Sequence, residues 1–310
     1  LTPTRLPVGS IRSEPRSVNP GGRIANPPPA GGYKLLAVDL DGTLLAHDGQ
    51  PHAHDVAAMK ALAKTGVVVT IATGRLPSGT LWVAEKAGIT GPVVCADGSL
   101  LVDAPSGAIL KHRTIGCTAH LRQVLPQREL AAVLFAGDRI VHDARATPYL
   151  PFFKTWSPDL HVTESLVDHP EFSDGTLTAL VGIGPEAEVR AFLAEAEAHR
   201  ESPVQVASFA LRKLGGRDGM WGFLLRTAGP TKATGLEDLG ERTGGIGLHE
   251  MVVVGDWMND IPMLSVAGRG VAMGQAPADV QAVATDLVHP TSTEGGGIAA
   301  AIAAIFGVHA

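Results

Sequence analysis

The sequence is poor in cysteine, has no long hydrophobic run and carries no excess of positive charge. Its two cysteines, Cys95 and Cys117, are too few for a disulfide framework in a chain of 310 residues, and they fit a reducing compartment. Because no stretch of about 18 apolar residues occurs, we expect no membrane-spanning helix. The N-terminal segment has scattered arginines but lacks the apolar core of a signal peptide, so these absences predict a cytoplasmic protein.

The charge balance argues against polyanionic partners. Lys and Arg number 25 and Asp and Glu number 31, which gives a formal net charge of −6 at pH 7. A field of this sign repels the phosphates of nucleic acids and anionic membrane surfaces, so we expect neither as a partner. Hydrophobic residues make up 45% of the chain, and its length suits about two domains of roughly 150 residues each. The oligomeric state is left open.

Three parts of the chain differ in composition and pattern. Residues 1–33 hold 7 of the 22 prolines and 5 of the 37 glycines without apolar periodicity, which predicts a disordered leader. Residues 34–97 and 216–310 alternate short Val-rich runs with helical patterns, which is typical of an α/β fold with a doubly wound, Rossmann-like parallel sheet. Residues 98–215 combine a hairpin pattern with further strands and a helix, and predict an inserted α+β domain.

The same patterns predict individual elements. Continuous apolar runs predict buried parallel strands at 34–40, 67–71, 92–95, 251–254 and 270–273. Helices are predicted at 54–64, from about 231 and after 259. In the insertion, 100–102 and 109–112 predict a hairpin, 131–135, 178–183 and 204–211 predict strands, and 186–199 predicts a helix.

Aspartates follow two of the predicted core strands. Asp39 and Asp41 come at the end of the first run, and residues two apart in an extended chain project to the same side, so both are expected to face the crevice beyond the strand. Asp256 and Asp260 follow the run 251–254. A turn or a helix cap would explain each aspartate alone. Neither explains why two strands more than 200 residues apart end alike.

If these two strands are neighbours, four carboxylates converge and require a cation. At an effective dielectric constant near 20, two charges about 5 Å apart repel by roughly 3 kcal/mol, so several pairs approach a typical folding stability of about 5 to 15 kcal/mol. Oxygen ligands with an open, hydrated sphere favour Mg²⁺, whereas no Cys or His spacing here suits zinc. We interpret His47, His52 and His54 as exposed loop and helix-start residues.

Two further elements are typical of phosphoryl transfer. Thr73-Gly74-Arg75 follows the run 67–71 and places a hydroxyl and free backbone N–H groups at the same sheet edge, as anion binding requires. Lys232, at the start of a predicted helix, offers a positive charge for phosphate. Thr-Gly also ends strands for conformational reasons, and an isolated lysine is usually solvated. Only together with the carboxylates do these residues predict a phosphoryl-transfer site.

These motifs resemble those of a known family. Residues 39–44, 73–75, 232 and 255–264 match, in order and in strand context, the four motifs of the haloacid dehalogenase-like phosphatases. The large insertion between the second and third motifs, with the segment 270–274 downstream, resembles the Cof-like branch, whose cap is of type IIB. The resemblance covers about residues 34–307 and implies a catalytic core at 34–97 and 216–310, with 98–215 as a cap that determines substrate specificity.

The resemblance also implies a role for each matching residue. Asp39 would attack phosphorus as the nucleophile and form an aspartyl-phosphate, and Asp41 would act as general acid and base. Mg²⁺ would be held by the Asp39 carboxylate, the Asp41 backbone carbonyl and Asp256, with Asp260 in support. The groups expected to hold the phosphate oxygens are Thr73, the Gly74 backbone, Lys232 and Asn259.

Some positions depart from the family pattern. Asp97 stands where this branch commonly has Asn before Gly, Ala233 stands where Gly is usual, Trp257 fills a slot often held by smaller residues, and Gln275 replaces a common Asn. None belongs to the predicted catalytic or metal set, so these departures bear on specificity more than on chemistry. Candidate cap contacts to substrate are Arg139, His142, Lys154 and Arg212.

The expected function is hydrolysis of a small phosphorylated metabolite, such as a sugar phosphate, by a Mg²⁺-dependent phosphatase. Two alternatives stay open. A phosphomutase or other phosphotransferase would share the aspartyl-phosphate and pass the phosphoryl group to a sugar hydroxyl. A non-catalytic sensor of a phosphorylated metabolite would need neither a nucleophile nor a proton shuttle, so the pair Asp39 and Asp41 argues against it.

Overall fold

Each run predicted as a core strand forms a strand in a computed structural model of the chain, which describes residues 23–24, 27–198, 202–211 and 219–309. The observed bounds of these strands differ from the predicted ones by no more than two residues. The strands of the described ranges are β1 Leu35–Val38, β2 Val68–Ile71, β3 Pro92–Cys95, β4 Leu100–Asp103, β5 Ile109–His112, β6 Ala131–Ala136, β7 Arg139–His142, β8 Leu160–Val162, β9 Leu177–Pro185, β10 Val204–Leu211, β11 Met220–Thr227, β12 Met251–Gly255, β13 Arg269–Ala272 and β14 Asp286–Leu287.

Helices connect and cover these strands. The α-helices of the described ranges are α1 Ala53–Ala63, α2 Pro77–Ala87, α3 Thr118–Val124, α4 Leu150–Phe153, α5 Glu186–Glu197, α6 Lys232–Arg242, α7 Ile261–Val266, α8 Ala278–Val283 and α9 Gly297–Phe306. Short 3₁₀ turns add Ala96–Gly98, Leu125–Gln127, Ala144–Tyr149, Leu248–Glu250 and Met258–Asp260. No helix in the part of the chain that the structure describes combines the length and the apolar character needed to cross a bilayer.

The core is a parallel sheet with helices on both faces. Its strand order is β14-β13-β12-β1-β2, and β1 pairs with β12 so that Val38 lies opposite Val254. Leu36 packs in one cluster with side chains of α1 and α9, whereas Leu35 packs in another with side chains of α6 and α7. Both faces of β1 are therefore buried, which explains why its sequence is apolar at every position. The predicted doubly wound sheet is confirmed.

The predicted hairpin forms, but it belongs to a three-stranded sheet with β3, which one bridge joins to the core sheet. β4 and β5 pair antiparallel, and β4 also pairs with β3. A bridge between Ala72 and Val94 links β3 to the end of β2. The boundary predicted at 97/98 therefore falls inside one three-stranded sheet and is wrong as a structural division. A tight turn at Gly98, whose φ is +90°, interrupts the apolar pattern there without ending the sheet.

A second sheet, separate from the core, has six strands in the order β10-β11-β9-β6-β7-β8, with α3 and α5 on one face. It contains β11, which the boundary predicted at 215/216 assigns to the core. That boundary lies in residues 212–218, outside the described ranges, and β10 and β11 on either side of it pair antiparallel. A glycine-rich connection between paired strands has the composition of a linker, which explains the error. We propose that the cap comprises the elements from α3 to β11.

The predicted leader is only partly described. Residues 1–22 and 25–26 lie outside the described ranges, so the expected disorder there stays a prediction. Arg23 and Tyr33, however, pack on the core. The Arg23 backbone N–H donates to the Ala284 carbonyl at 3.0 Å, and the Tyr33 ring is buried with its centroid 6.3 Å from that of Phe306. The leader predicted to extend to residue 33 is therefore wrong at these two positions.

A buried carboxylate fixes the start of α9. Asp55 in α1 is inaccessible to solvent, and its two oxygens accept the backbone N–H groups of Gly296 at 2.9 Å and Ala299 at 2.8 Å. The first N–H groups of a helix have no partner within the helix, so Asp55 supplies one and binds α9 to α1.

Asp55→Ala should lower the free energy of unfolding by about 2 kcal/mol, because one buried and one partly buried N–H group lose their acceptor. Urea denaturation followed by circular dichroism measures this change. The matched control is Asp48→Ala, which removes an exposed aspartate that bonds only the nearby Gln50 N–H at 2.9 Å and should change stability by less than about 0.5 kcal/mol. Equal losses in the two variants would contradict the assigned role of Asp55.

Candidate active site

Three carboxylates meet at the carboxyl end of the core sheet. Asp39 directly follows β1, Asp256 directly follows β12, and Asp260 ends the 3₁₀ turn before α7. One oxygen from each lies within 4.8 Å of the others, and all three residues are buried. The pairing of β1 with β12 produces this meeting, because parallel neighbours end at the same edge.

Lys232 lies among these carboxylates. It is the first residue of α6, where the Thr231 hydroxyl accepts the Thr234 N–H and caps the helix. Its Nζ is 2.6 Å from Asp39 Oδ1 and 2.6 Å from Asp260 Oδ1, and the side chain is fully buried. The sequence predicted a lysine for phosphate, and the structure places its ammonium between two carboxylates.

Burial and neighbouring charge shift the pKa values of this cluster. Burial lowers the pKa of Lys232, but the carboxylates of Asp260 and Asp39 outweigh it and raise the pKa above its usual value. Burial raises the pKa of Asp39 well above the usual range, against the effect of Lys232. Burial, followed by the charge of Asp260, raises the pKa of Asp256 to about 6. Three carboxylates with one ammonium carry excess negative charge, so the cluster suits a divalent cation.

The donor set fits Mg²⁺. It consists of carboxylate oxygens from Asp39, Asp256 and Asp260, and hard cations prefer oxygen ligands. Asp256 is held in place by the Thr43 hydroxyl, which donates to its Oδ1 at 3.2 Å, and by Gln275 Nε2 at 3.3 Å from its Oδ2. Gln275 therefore contacts a predicted metal ligand, although the sequence placed it outside the predicted catalytic and metal set.

The loop around Asp260 is fixed by the same carboxylate. Asp260 Oδ2 accepts the backbone N–H groups of Asp256 and Trp257, each at 2.9 Å. A helix cap would have been the simplest explanation for this aspartate, but its side chain does not cap α7. It shapes the turn after β12 and presents its other oxygen to Lys232.

Asp41 does not join the cluster. Arg75 holds its carboxylate with two bonds, Nε to Oδ2 at 2.8 Å and Nη2 to Oδ1 at 2.6 Å, and the Asp41 side chain is 59% exposed. Four carboxylates were expected to converge, and this expectation is wrong for Asp41, since only the other three do so. β1 ends at Val38 and the chain then turns, with the Leu45 N–H donating to the Leu40 carbonyl, so the extended alternation used for the prediction stops before Asp41. The role of the Asp41 backbone carbonyl as a metal ligand stays a prediction.

The predicted phosphate-binding residues other than Lys232 surround Asp97. The Asn259 amide donates to Asp97 Oδ1 at 2.9 Å, and the Asp97 N–H donates to the Thr73 carbonyl at 3.0 Å. A Cβ on Gly74 would lie 3.3 Å from Asp97 Oδ1. The Thr73 hydroxyl accepts the Arg75 N–H at 3.2 Å, which shapes the loop after β2. The sequence pattern marks Asp97 only as a departure from the family and carries no signal for these contacts.

The other predicted polar residues are the candidate cap contacts to substrate. Arg139 pairs with Glu171 at 3.5 Å, the buried His142 ring contacts the Asp143 carbonyl at 3.1 Å, and Lys154 is exposed. Arg212 lies outside the described residues.

Three histidines were expected to be exposed, and His47 and His54 are exposed. His52 is half-buried and bonds the Ser292 carbonyl through Nε2, so that expectation is wrong for this residue.

A family model for haloacid dehalogenase-like hydrolases matches residues 36–200 and 216–302. The chain belongs to this family. It is 27% identical over 293 residues to phosphatase YwpJ of Bacillus subtilis, covering 85% of this chain and 96% of that protein. It is also 27% identical to the 5-amino-6-(5-phospho-D-ribitylamino)uracil phosphatase YcsE of the same organism, over 265 residues that cover 85% of this chain and 92% of that protein.

The fold is that of known structures in this family. A solved structure described as a HAD subclass IIB sugar phosphatase superposes with a TM-score of 0.67 at 21% identity, covering 87% of this chain and 98% of that chain. The family that the motifs predicted is therefore confirmed, and so is a fold with an inserted cap of the subclass IIB kind.

Gly42 is required where the turn after β1 approaches Asp256. Its φ is +80°, and a Cβ there would lie 2.2 Å from Asp256 Oδ2. Gly42→Ala should displace Asp256 and weaken Mg²⁺ binding by at least about tenfold, or about 1.4 kcal/mol. The stabilisation that added Mg²⁺ gives in urea denaturation measures this affinity without any substrate.

The matched control for this prediction is Gly49→Ala. Gly49 has a similar φ of +74° but nothing within 4 Å of its added Cβ. It should cost about 1 to 2 kcal/mol of stability through backbone strain and leave Mg²⁺ binding unchanged. Similar Mg²⁺ affinities in Gly42→Ala and in the unaltered protein would contradict a metal site at Asp256.

Proposed function

We propose that this protein is a Mg²⁺-dependent phosphatase that hydrolyses a small phosphorylated metabolite through an aspartyl-phosphate on Asp39. The observation that supports this most strongly is the buried Asp39 carboxylate, which contacts Lys232 and lies beside Asp256 and Asp260. Membership of a hydrolase family, with relatives that are named phosphatases, supports the same reaction. A sugar phosphate or a similar phosphomonoester is the substrate class we infer.

The carboxylates of Asp39, Asp256 and Asp260 would hold the metal. When bound, Mg²⁺ supplies positive charge that offsets the repulsion between an anionic nucleophile and an anionic phosphoryl group. Lys232 contributes a further charge at the same place. Its ammonium contacts Asp39 before substrate binds, so little reorganisation is needed when the phosphoryl group arrives.

In the first step an Asp39 carboxylate oxygen attacks phosphorus. The bond from phosphorus to the ester oxygen breaks, and Asp41 in its protonated form gives a proton to that oxygen, so the alcohol leaves neutral. Thr73, Gly74 and Asn259 would donate hydrogen bonds to the phosphoryl oxygens. The buried position of Asp39 keeps bulk water away from the acyl-phosphate that forms.

In the second step Asp41 accepts a proton from a water molecule that attacks phosphorus. The acyl-phosphate bond breaks, inorganic phosphate leaves and the Asp39 carboxylate is restored. Asp41 must move away from Arg75 to act, since Arg75 now occupies both of its oxygens. Its exposure, 59%, leaves room for this rotation.

Release of inorganic phosphate from a panel of phosphorylated metabolites tests the proposal. The protein with Mg²⁺ should release phosphate, and excess EDTA should abolish the release. Asp39→Asn should also abolish it, because an amide does not form the acyl-phosphate. An isomerised product without free phosphate would indicate a phosphomutase instead, and no turnover of any ester would favour a sensor.

Asp41→Asn tests proton transfer separately from metal binding. Turnover should fall by roughly 10²-fold or more, because general acid and base catalysis is lost. Mg²⁺ affinity, measured by stabilisation against urea, should stay unchanged because the Asp41 carboxylate lies outside the carboxylate cluster. Asp48→Asn removes a nearby exposed carboxylate and serves as the control. An undiminished rate in Asp41→Asn would exclude the proposed role.

A further inference from the structure

A further buried carboxylate, Asp97, bonds the predicted phosphate-binding residue Asn259 and has no part in the proposed mechanism. Its Oδ2 is 2.9 Å from Arg226 Nη1, and its Oδ1 accepts the Asn259 amide N–H at 2.9 Å. The side chains of Arg226 and Asp97 are only 10% and 9% exposed. A fully paired buried carboxylate thus connects a residue of β11 with a predicted phosphate-binding residue.

The backbone at Asp97 is held in an unfavourable conformation. Ala96 and Asp97 have φ values of +48° and +50°, a region that residues other than glycine rarely adopt. The loop after β2 holds this turn in place, since the Ala96 N–H donates to the Arg75 carbonyl at 2.9 Å and the Asp97 N–H to the Thr73 carbonyl at 3.0 Å. Such conformations persist only where surrounding contacts enforce them, and they concentrate at functional sites.

The chemistry of Asp97 determines the orientation of Asn259. An ionised carboxylate only accepts hydrogen bonds, so the amide nitrogen of Asn259, and not its oxygen, must face Asp97. The nitrogen carries two hydrogens, and one remains after this bond. An asparagine at position 97 could either donate or accept, and would therefore permit both orientations of the Asn259 amide.

We propose that Asp97 is a positioning residue that orients the Asn259 amide so that its remaining N–H is presented to the phosphoryl group, while Arg226 holds Asp97 and balances its charge. This inference rests on the proposed function, because it takes a phosphoryl group as the ligand. Arg226 belongs to the six-stranded sheet, so the orientation of Asn259 depends on the placement of that sheet as well as on the core.

The first test observes Asn259 without any turnover. The side-chain amide signals of Asn259 are identified by their loss in Asn259→Ala, in spectra of the full chain labelled with ¹⁵N. One amide proton should resonate far downfield of the other, because it donates to a charged acceptor. In the double variant Asp97→Asn/Arg226→Gln, which leaves no unpaired buried charge, this separation should collapse. An unchanged amide signal in the double variant would overturn the proposal.

The second test asks whether Asp97 acts through Asn259, with p-nitrophenyl phosphate and Mg²⁺ as the probe. Asp97→Asn/Arg226→Gln should lower kcat/KM about tenfold, and Asn259→Ala should lower it about 10²-fold. The triple variant should be no slower than Asn259→Ala, because an absent amide cannot be misoriented. If the losses multiply to about 10³-fold, Asp97 does not act through Asn259.

A matched control and a partial restoration separate this role from a purely structural one. Asp286→Asn/Arg269→Gln removes a partly buried ion pair between β13 and β14 and should leave kcat/KM within twofold. Arg226→Lys keeps the charge and should retain more activity than the double variant. If the unaltered protein releases no phosphate from any ester, the proposed function fails, and the amide spectra alone then decide the role of Asp97.

Discussion

The rest of the site depends on the ion pairs that the buried Lys232 ammonium makes with two carboxylates. It bonds Asp39 and Asp260 at 2.6 Å each, with no exposure to solvent. Removing three charges from water is costly, and their attraction compensates only when the geometry is good and every group is bonded. Asp260 meets this condition by accepting two backbone N–H groups with its other oxygen. These contacts join the end of β1 to the start of α6 and to the turn after β12. Phosphoryl transfer needs both a nucleophile and a positive charge at this place.

The six-stranded sheet packs against the core in one apolar cluster, which includes Phe135 and Val181 of that sheet and Val93 and Val102 of the core, and polar contacts accompany this packing. Arg226 of β11 reaches Asp97 on one side. On the other, the Leu76 N–H at the start of α2 donates to the Trp156 carbonyl at 3.0 Å, and the hydroxyls of Ser78 and Ser157 are 2.6 Å apart. The six-stranded sheet and the core therefore share both apolar packing and polar contacts.

Local pattern was sufficient for much of the fold. The core strands were predicted because strands buried on both faces are apolar throughout, and β1 and β12 contain no polar side chain. The meeting of Asp39 with Asp256 and Asp260 followed from the rule that parallel neighbours end at one edge. The place of β11 in the six-stranded sheet could not be predicted from the sequence. The glycines between β10 and β11 have the composition of a linker between domains, although the two strands pair.

The sequence by itself determined the apolar core strands β1, β2, β3, β12 and β13, the aspartates that follow β1 and β12, and the family, since each strand and each motif is a short local pattern. Tertiary structure alone decided that Asp41 turns to Arg75 and that Asp97 lies between Arg226 and Asn259. These contacts join residues from 34 to 162 positions apart, and no local periodicity carries information about such distances. A side chain's partner depends on which turns interrupt the strand and which element packs against it, and only the folded chain fixes both.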